Sequence, residues 1–343
     1  MPLSFSDREK FERLKRTFDN NYRLTRIWAD YLNLFPELIN SEMIAEITAD
    51  GDVSREVAIA AIIAEAFGID TDRERDFFRN YISGSVKILD AKNYGSDAYS
   101  RAVGELSLAL GKWEIKRDFY PAYRAIPCSD IVFNPDFSER IELGFFTERF
   151  DFLSILEDKN EWMTLTPIDV DTVTDAIAAA RGKVVTFGLG LGYYTYMAAR
   201  RPEVSSVTVV EIDENAISLF KNHILPRLEC RDKIKIVHMD AFEYAERVMP
   251  GEHFDFAFVD TWRDASDGAP MYLKMKKCEA KNKNTEFSYW IENFIISRLR
   301  ALRFEELRAL YDGGRFDLLP DSFAEITRQL SREELARHEF ENL

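Results

Sequence analysis

A glycine-rich turn between an apolar run and an aromatic helix constrains this chain most. Residues 183–187 are mainly apolar and predict a short buried strand, and residues 193–201 predict the helix that follows. Between them glycine stands at every second position, at Gly188, Gly190 and Gly192. Because glycine has no side chain, a ligand can lie directly against the backbone N–H groups of such a turn.

The spacing of the glycines narrows the class of ligand. A dinucleotide fingerprint, G-x-G-x-x-G, needs glycine at position 193, and this chain has Tyr193 there. NAD-linked chemistry is therefore disfavoured. Taken alone, the turn also fits tight strand–helix packing with no ligand at all.

Three further strands are predicted after the turn, and each ends in an acidic residue. They end at Glu211, at Asp240 and at Asp260. Right-handed crossovers bring the carboxyl ends of parallel strands to one edge of a sheet, where ligands bind. A single acid would indicate a helix cap, but the ordered set favours a nucleoside site. Glu211 would accept hydrogen bonds from the ribose hydroxyls, and Asp240 would accept one from the adenine amino group.

From about residue 182 to residue 260 the chain resembles the Rossmann-like domain of class I S-adenosylmethionine-dependent methyltransferases, and most of all the spermidine synthase-like branch. The resemblance rests on the G-x-G-x-G turn and on the segments 209–213 and 240–242. It implies an α/β fold with a parallel sheet, and S-adenosylmethionine as the cofactor. The cofactor-binding positions that it implies are Gly188, Leu189, Gly190, Gly192, Glu211, Ile212, Asp240, Ala241 and Asp260.

Two departures from spermidine synthases bear on the reaction. Those enzymes read Asp-Ser-Ser-Asp-Pro after the fourth strand, whereas residues 260–264 read Asp-Thr-Trp-Arg-Asp, and their Tyr-His-Glu motif has no match. We therefore expect a methyltransferase for a small-molecule acceptor, with Asp260 as the catalytic residue that orients the nucleophile or accepts its proton. The alternatives are a spermidine synthase-like aminopropyltransferase and a non-catalytic cofactor-binding protein.

Aromatic residues are candidates for contact with the substrate. Trp262 would form a wall near the sulfonium. Tyr120 and Tyr123, from the aromatic stretch 112–128, would line the acceptor pocket if the N-terminal helices fold over the sheet edge. The competing interpretation of that stretch is a packed connection between domains. Tyr193 and Tyr194 would line the same space as Trp262, with helix packing as the alternative. Candidates of second rank, for which core packing is the alternative, are Trp162, Met163 and Thr166.

The length of 343 residues favours two domains. We expect a helical N-terminal domain at 1–128 and the Rossmann-like domain at 129–343, which includes a short β extension at 129–165 and C-terminal helices. Residues 287–299 carry apolar side chains at helical spacing, and no strong fifth strand is visible. Either the sheet is truncated or its late strands are too irregular to recognise, and we favour a truncated sheet whose exposed edge is covered by the β extension.

Composition bounds the partners. The net charge of −15 disfavours a large nucleic-acid footprint, and no apolar run has membrane-spanning length. The three cysteines and four histidines lack metal-ligand spacing, so we expect no metal. These features favour a cytoplasmic protein with a small-molecule substrate, and they are compatible with a homo-oligomer.

Overall fold

The computed structural model describes residues 3–262 and 265–341. The α-helices in this range are α1 (Phe5–Leu34), α2 (Ser41–Ile47), α3 (Arg55–Ala66), α4 (Arg75–Phe77), α5 (Ala91–Gly95), α6 (Ala98–Val103), α7 (Pro167–Ala179), α8 (Tyr193–Ala199), α9 (Glu214–Leu219), α10 (Ala241–Glu243), α11 (Ala265–Glu279), α12 (Glu292–Asp312), α13 (Phe323–Gln329) and α14 (Arg332–Glu341). Three of them, α4, α9 and α10, continue as π-helical turns at Phe78–Ile82, Phe220–Ile224 and Tyr244–Val248.

The strands of the described chain fall into four sheets. They are β1 (Val86–Leu89), β2 (Leu108–Leu110), β3 (Trp113–Tyr120), β4 (Ile126–Pro127), β5 (Val132–Phe133), β6 (Glu139–Arg140), β7 (Leu143–Phe146), β8 (Phe150–Glu157), β9 (Asn160–Thr164), β10 (Gly182–Phe187), β11 (Val204–Glu211), β12 (Ile234–His238), β13 (Phe256–Val259) and β14 (Glu286–Tyr289).

Two compact units share the chain, and both are discontinuous. One consists of the segments up to Leu89, Ala122–Thr147 and the residues from Asn293 onward. The other consists of Asp90–Pro121 and Glu148–Glu292. The predicted domain boundary at residue 128 stays a prediction.

The second unit is built on a five-stranded parallel sheet in the order β12-β11-β10-β13-β14. Its central strand β10 is buried on both sides: Val184, Val185 and Phe187 have no exposed surface. The chain order reverses beside β10, which makes the carboxyl ends of β10 and β13 a topological switch point. This confirms the predicted α/β fold with a parallel Rossmann-like sheet.

The sheet has a fifth strand that the sequence did not reveal. Glu286–Tyr289 pairs in parallel with β13, so that Val259 lies opposite Tyr289. The helix predicted from residue 287 begins at Glu292. The β extension does not pair with this sheet either, because in the described chain β12 and β14 are its edge strands. Part of the extension, β8 and β9, joins β2 and β3 in an antiparallel sheet of the same unit.

The first unit has apolar cores of its own and one deeply buried ion pair. Phe11 and Phe18 of α1 pack against Phe304 of α12. The guanidinium of Arg300 donates to the carboxylate of Glu139 over 2.6 Å, and both side chains are almost fully buried. This pair ties α12 to the short strand β6.

Within residues 3–262 and 265–341, no helix combines the length and the apolar character that crossing a bilayer requires.

Candidate functional site

The glycine turn after β10 has the backbone shape that its sequence predicts. Gly188, Gly190 and Gly192 have φ values of +97°, +50° and +77°, which L side chains rarely adopt. A Cβ atom at Gly188 would collide with the backbone carbonyl of Asp260, and one at Gly192 would collide with the ring of Phe220. These two glycines are therefore required by packing within the protein.

Gly190 is the glycine of the three that faces side-chain atoms of the segment before α7. A Cβ atom there would stand 2.6 Å from Sδ and 2.9 Å from Cε of Met163. The same Sδ accepts a hydrogen bond from the Leu191 amide over 3.1 Å. On the other side of the turn, the buried Tyr99 hydroxyl donates to the Leu191 carbonyl over 2.5 Å. Contacts from β9 and α6 thus hold the turn.

Glu211 ends β11 and is anchored to two turns at once. Its Oε2 accepts from the amide of Leu189 at 2.9 Å, and its Oε1 accepts from the amides of Ile212 and Asp213 at 2.8 Å each. A carboxylate has about four acceptor positions, so this one retains capacity for a further donor. The predicted role of Glu211 as ribose partner stays a prediction, as do the other cofactor-binding assignments.

The region around Asp240 follows β12. Asp240 caps the helix that starts at Ala241, because its Oδ1 accepts from the Glu243 amide at 2.9 Å. Ile212 leaves 63% of its surface exposed, and its carbonyl lies 3.0 Å from Nε2 of His238. An exposed apolar side chain beside Glu211 offers a surface on which a planar base can lie.

Asp260 follows β13 directly, and its amide donates to the Phe187 carbonyl at 2.9 Å. The pKa of its carboxyl is raised to about 7, first by burial and then by the charges of Asp169 and Glu211. The carboxyl group of Asp260 therefore lies within electrostatic reach of two other carboxyl groups. In the described chain they do not form a group that could hold a metal ion.

Sequence reasoning missed Asp169. Its Oδ2 accepts from the amide and hydroxyl of Thr166, at 2.8 and 2.7 Å, and from the hydroxyl of Thr164 at 3.3 Å. Burial raises the pKa of its carboxyl, and these hydrogen bonds oppose the shift. The available signal was the Thr-Pro-Ile-Asp sequence at the start of α7, which by itself indicates a capping box.

In the described chain, three buried polar atoms in the region of Asp260 lack a hydrogen-bond partner. They are the Thr261 hydroxyl, the Trp262 indole N–H and the Tyr194 hydroxyl. The Tyr194 ring stacks on Phe258 with 4.0 Å between centroids. Phe258 and Asp260 are two residues apart and so share a face of the sheet. Unpartnered buried polar atoms are costly, which suits a place that a polar ligand occupies. The adjoining Arg263 and Asp264 lie outside the described residues.

The remaining aromatic candidates have separate surroundings. Tyr120 ends β3, and its ring lies 4.5 Å from that of Phe152 in the second unit. Tyr123 belongs to the first unit, where it is buried and its amide donates to the Phe146 carbonyl at 2.8 Å. That these tyrosines line an acceptor pocket stays a prediction. Trp162 is half-buried, and its ring lies 4.9 Å from the ring of Trp113.

Residues 180–278 match the family described as the spermine/spermidine synthase domain. The matched segment contains the glycine turn, Glu211, Asp240 and Asp260. No curated protein matches the chain.

Three solved structures show partial likeness. A spermidine synthase from Thermotoga maritima is 15% identical over 42% of this chain and 57% of that chain, with a TM-score of 0.30. A spermidine synthase in complex with the transition-state analogue AdoDATO is 13% identical over 50% and 61%, with a TM-score of 0.31. A precorrin-8w decarboxylase from Methanobacterium thermoautotrophicum is 20% identical over 43% and 73%, with a TM-score of 0.28. The likeness thus spans less than two thirds of either synthase.

The family match corrects two expectations. A methyltransferase is the wrong enzyme class, because the matched family consists of spermidine synthase-like transferases of aminopropyl groups. S-adenosylmethionine as a methyl-donating cofactor is wrong for the same reason, because that family uses decarboxylated S-adenosylmethionine as a substrate. Residues 180–278 are thus similar to the spermidine synthase domain, and the parallel sheet to which they contribute is Rossmann-like.

Proposed function

We propose that this chain is an aminopropyltransferase that moves the aminopropyl group of decarboxylated S-adenosylmethionine to the nitrogen of a small amine. The observation that carries the proposal is Asp260. It lies at the end of β13 inside the matched domain, and its raised pKa of about 7 suits a general base.

The donor would lie along the carboxyl edge of the sheet. Its ribose would meet the remaining acceptor capacity of Glu211, and its adenine would lie near Asp240 and the exposed side chain of Ile212.

Transfer needs a neutral nitrogen, because an ammonium has no free electron pair. The nitrogen attacks the propyl carbon that is bonded to sulfur, and the C–N bond forms as the C–S bond breaks. The electron pair of the C–S bond goes to sulfur, which turns the sulfonium into the thioether of 5′-methylthioadenosine. The proton released from nitrogen goes to the carboxylate of Asp260.

The charge of the site suits these substrates. Both the sulfonium donor and an amine acceptor are cations, and Asp169, Glu211 and Asp260 supply negative charge around one point. Opposite charges attract strongly where water is excluded. A small-molecule substrate is therefore the partner that this site supports.

The proposal is tested by the rate of 5′-methylthioadenosine release from decarboxylated S-adenosylmethionine with a panel of diamines and triamines. Asp260→Asn is expected to slow release by about 10²–10⁴-fold, the usual contribution of a positioned general base. Glu214→Gln, at an exposed position in the first turn of α9, is the matched control and should keep the wild-type rate. An Asp260→Asn variant with the full rate would contradict the proposal.

A further inference from the structure

The backbone N–H groups of the glycine turn are largely engaged by the protein itself. The Gly188 amide donates to the Val210 carbonyl at 2.9 Å, and the Gly192 amide donates to the Leu189 carbonyl at 2.8 Å. The Leu189 amide is held by Glu211 at 2.9 Å, and the Leu191 amide is held by Met163 at 3.1 Å. Turns of this kind usually offer such amides to an anion. Here few of them remain for one.

The acceptor on Leu191 is unusual, because a thioether sulfur is a weak hydrogen-bond acceptor. Met163 belongs to β9, opposite Ile155 of β8, and is half-buried. Its Sδ and Cε fill the space directly next to Gly190, within 2.9 Å of where a Cβ atom would stand. The side chain therefore does two things: it satisfies the Leu191 amide and it covers it.

The charges around the turn act in the same direction. The backbone of Asp260 contacts Gly188, and Glu211 contacts Leu189. Asp169 and Glu211 both add to the negative charge that Asp260 experiences. A carboxylate brought to this turn would be repelled, whereas an ammonium would be attracted.

We propose that Met163 makes the donor site select a nucleoside whose aliphatic tail carries an ammonium but no carboxylate, by covering the Leu191 amide that would otherwise bind that carboxylate. This inference rests on the proposed function, since the two donors at issue are decarboxylated S-adenosylmethionine and S-adenosylmethionine. It makes Met163 a specificity-determining residue, which acts on the choice of donor and takes no part in the transfer step.

The contact itself is tested without any ligand, by hydrogen exchange of backbone amides followed by NMR. In Met163→Ala the Leu191 amide loses its acceptor and its cover, so its exchange should accelerate by about tenfold or more. The Leu189 amide, which Glu211 holds, is the internal control and should exchange as in the wild type. Unchanged exchange at Leu191 in a folded Met163→Ala variant would overturn the inference.

The selectivity is tested by calorimetric titration with the two donors under identical conditions. The wild type should bind decarboxylated S-adenosylmethionine more tightly than S-adenosylmethionine. In Met163→Ala the ratio of the two affinities should narrow by about tenfold, because a hydrogen bond between the freed amide and a carboxylate is worth about that much. Met163→Leu keeps the bulk over Leu191 and serves as the control, with a ratio within about twofold of the wild type.

The outcomes separate this inference from the function on which it rests. A wild type that prefers the decarboxylated donor, with the same ratio in Met163→Ala, would overturn the role of Met163 and leave the proposed function standing. A wild type that binds neither donor would contradict the proposed function, and the selectivity would fall with it. Equal affinity of the wild type for both donors would overturn the inference alone.

Discussion

The Glu211 carboxylate accepts a hydrogen bond from the Leu189 amide, with 2.9 Å between Oε2 and N. This contact joins the end of β11 to the glycine turn after β10. The two strands are neighbours in the parallel sheet. The residue predicted to bind the ribose therefore also fixes the shape of the turn beside it.

Replacing Glu211 should thus affect both binding and stability. In Glu211→Gln the side chain can no longer accept hydrogen bonds at both ends, so one of its backbone partners loses its acceptor. We expect a loss of about 1–3 kcal/mol in the free energy of unfolding and a similar loss in donor binding. Urea unfolding and calorimetry measure the two, with the exposed Glu214→Gln as control. Unchanged donor affinity in Glu211→Gln would remove Glu211 from the site.

Two glycine substitutions should separate binding from folding. In Gly190→Ala the new methyl group pushes the flexible end of Met163 into the space above the turn, so donor binding should weaken. The free energy of unfolding should fall by only about 1–2 kcal/mol. In Gly192→Ala the methyl group meets the fully buried ring of Phe220, so the loss of stability should be larger, about 2–4 kcal/mol. Thermal melts of both variants, with and without donor, decide this. Equal destabilisation by the two changes would show that Gly190 also serves packing.

The pH dependence of the rate should report the titration of Asp260. Burial and the charges of Asp169 and Glu211 raise the pKa of this carboxyl to about 7. Since only the carboxylate form can accept the proton, kcat/KM should increase as the pH rises through about 7 and level off above it. In Asp260→Asn this rise of kcat/KM with pH should disappear. If the rise persists, the titration belongs to another group.

Asp169→Asn tests the cause of that shift within the same profile. The amide removes one negative charge near Asp260 but keeps an oxygen that can accept from the Thr166 amide, so the helix cap survives. The pKa of Asp260 should therefore fall, and the rise of kcat/KM with pH should move to lower pH. An unchanged pH dependence would show that Asp169 does not contribute and that burial and the charge of Glu211 set the titration.

The first unit offers a stability prediction that is independent of the site. Removing Arg300 leaves the buried carboxylate of Glu139 without its cationic partner, and only the Ser297 hydroxyl continues to donate to it among the contacts of the described chain. Arg300→Ala should therefore cost about 3–5 kcal/mol in the free energy of unfolding. The control is Arg328→Ala, whose ion pair with Glu325 is partly exposed and should be worth about 0–1 kcal/mol. Urea unfolding of the two variants measures the difference, and similar losses would contradict the buried role of Arg300.

The sequence was sufficient for the centre of the sheet and insufficient for its edge. Glycines at alternate positions and acids after apolar runs mark β10 to β13, and three of these strands, β10, β11 and β13, are mostly buried. The edge strand β14 is only four residues long, Glu-Phe-Ser-Tyr, and its aromatic residues fall in register with the apolar residues of α12. The helical spacing of residues 287–299 therefore extends over β14, and the sequence predicts a helix there.

The candidate site was predictable only as far as residues follow strands. Glu211, Asp240 and Asp260 have that local signal, whereas Asp169 lies in the first turn of α7, where a capping residue is expected. The contact of Met163 with Leu191 joins β9 to the glycine turn, 28 residues along the chain, so no local pattern indicates it. Tyr120 and Tyr123 are three residues apart in sequence, yet they belong to different compact units, which proximity in sequence does not reveal.

The mass of the amine product tests the proposed reaction most directly. The protein is incubated with decarboxylated S-adenosylmethionine and a diamine, and the amine is analysed by mass spectrometry alongside an Asp260→Asn sample. We predict that the amine gains one aminopropyl group for each 5′-methylthioadenosine released, and that the variant forms far less product. An amine that gains a methyl group, or an amine that stays unchanged with folded protein and bound donor, would contradict aminopropyl transfer.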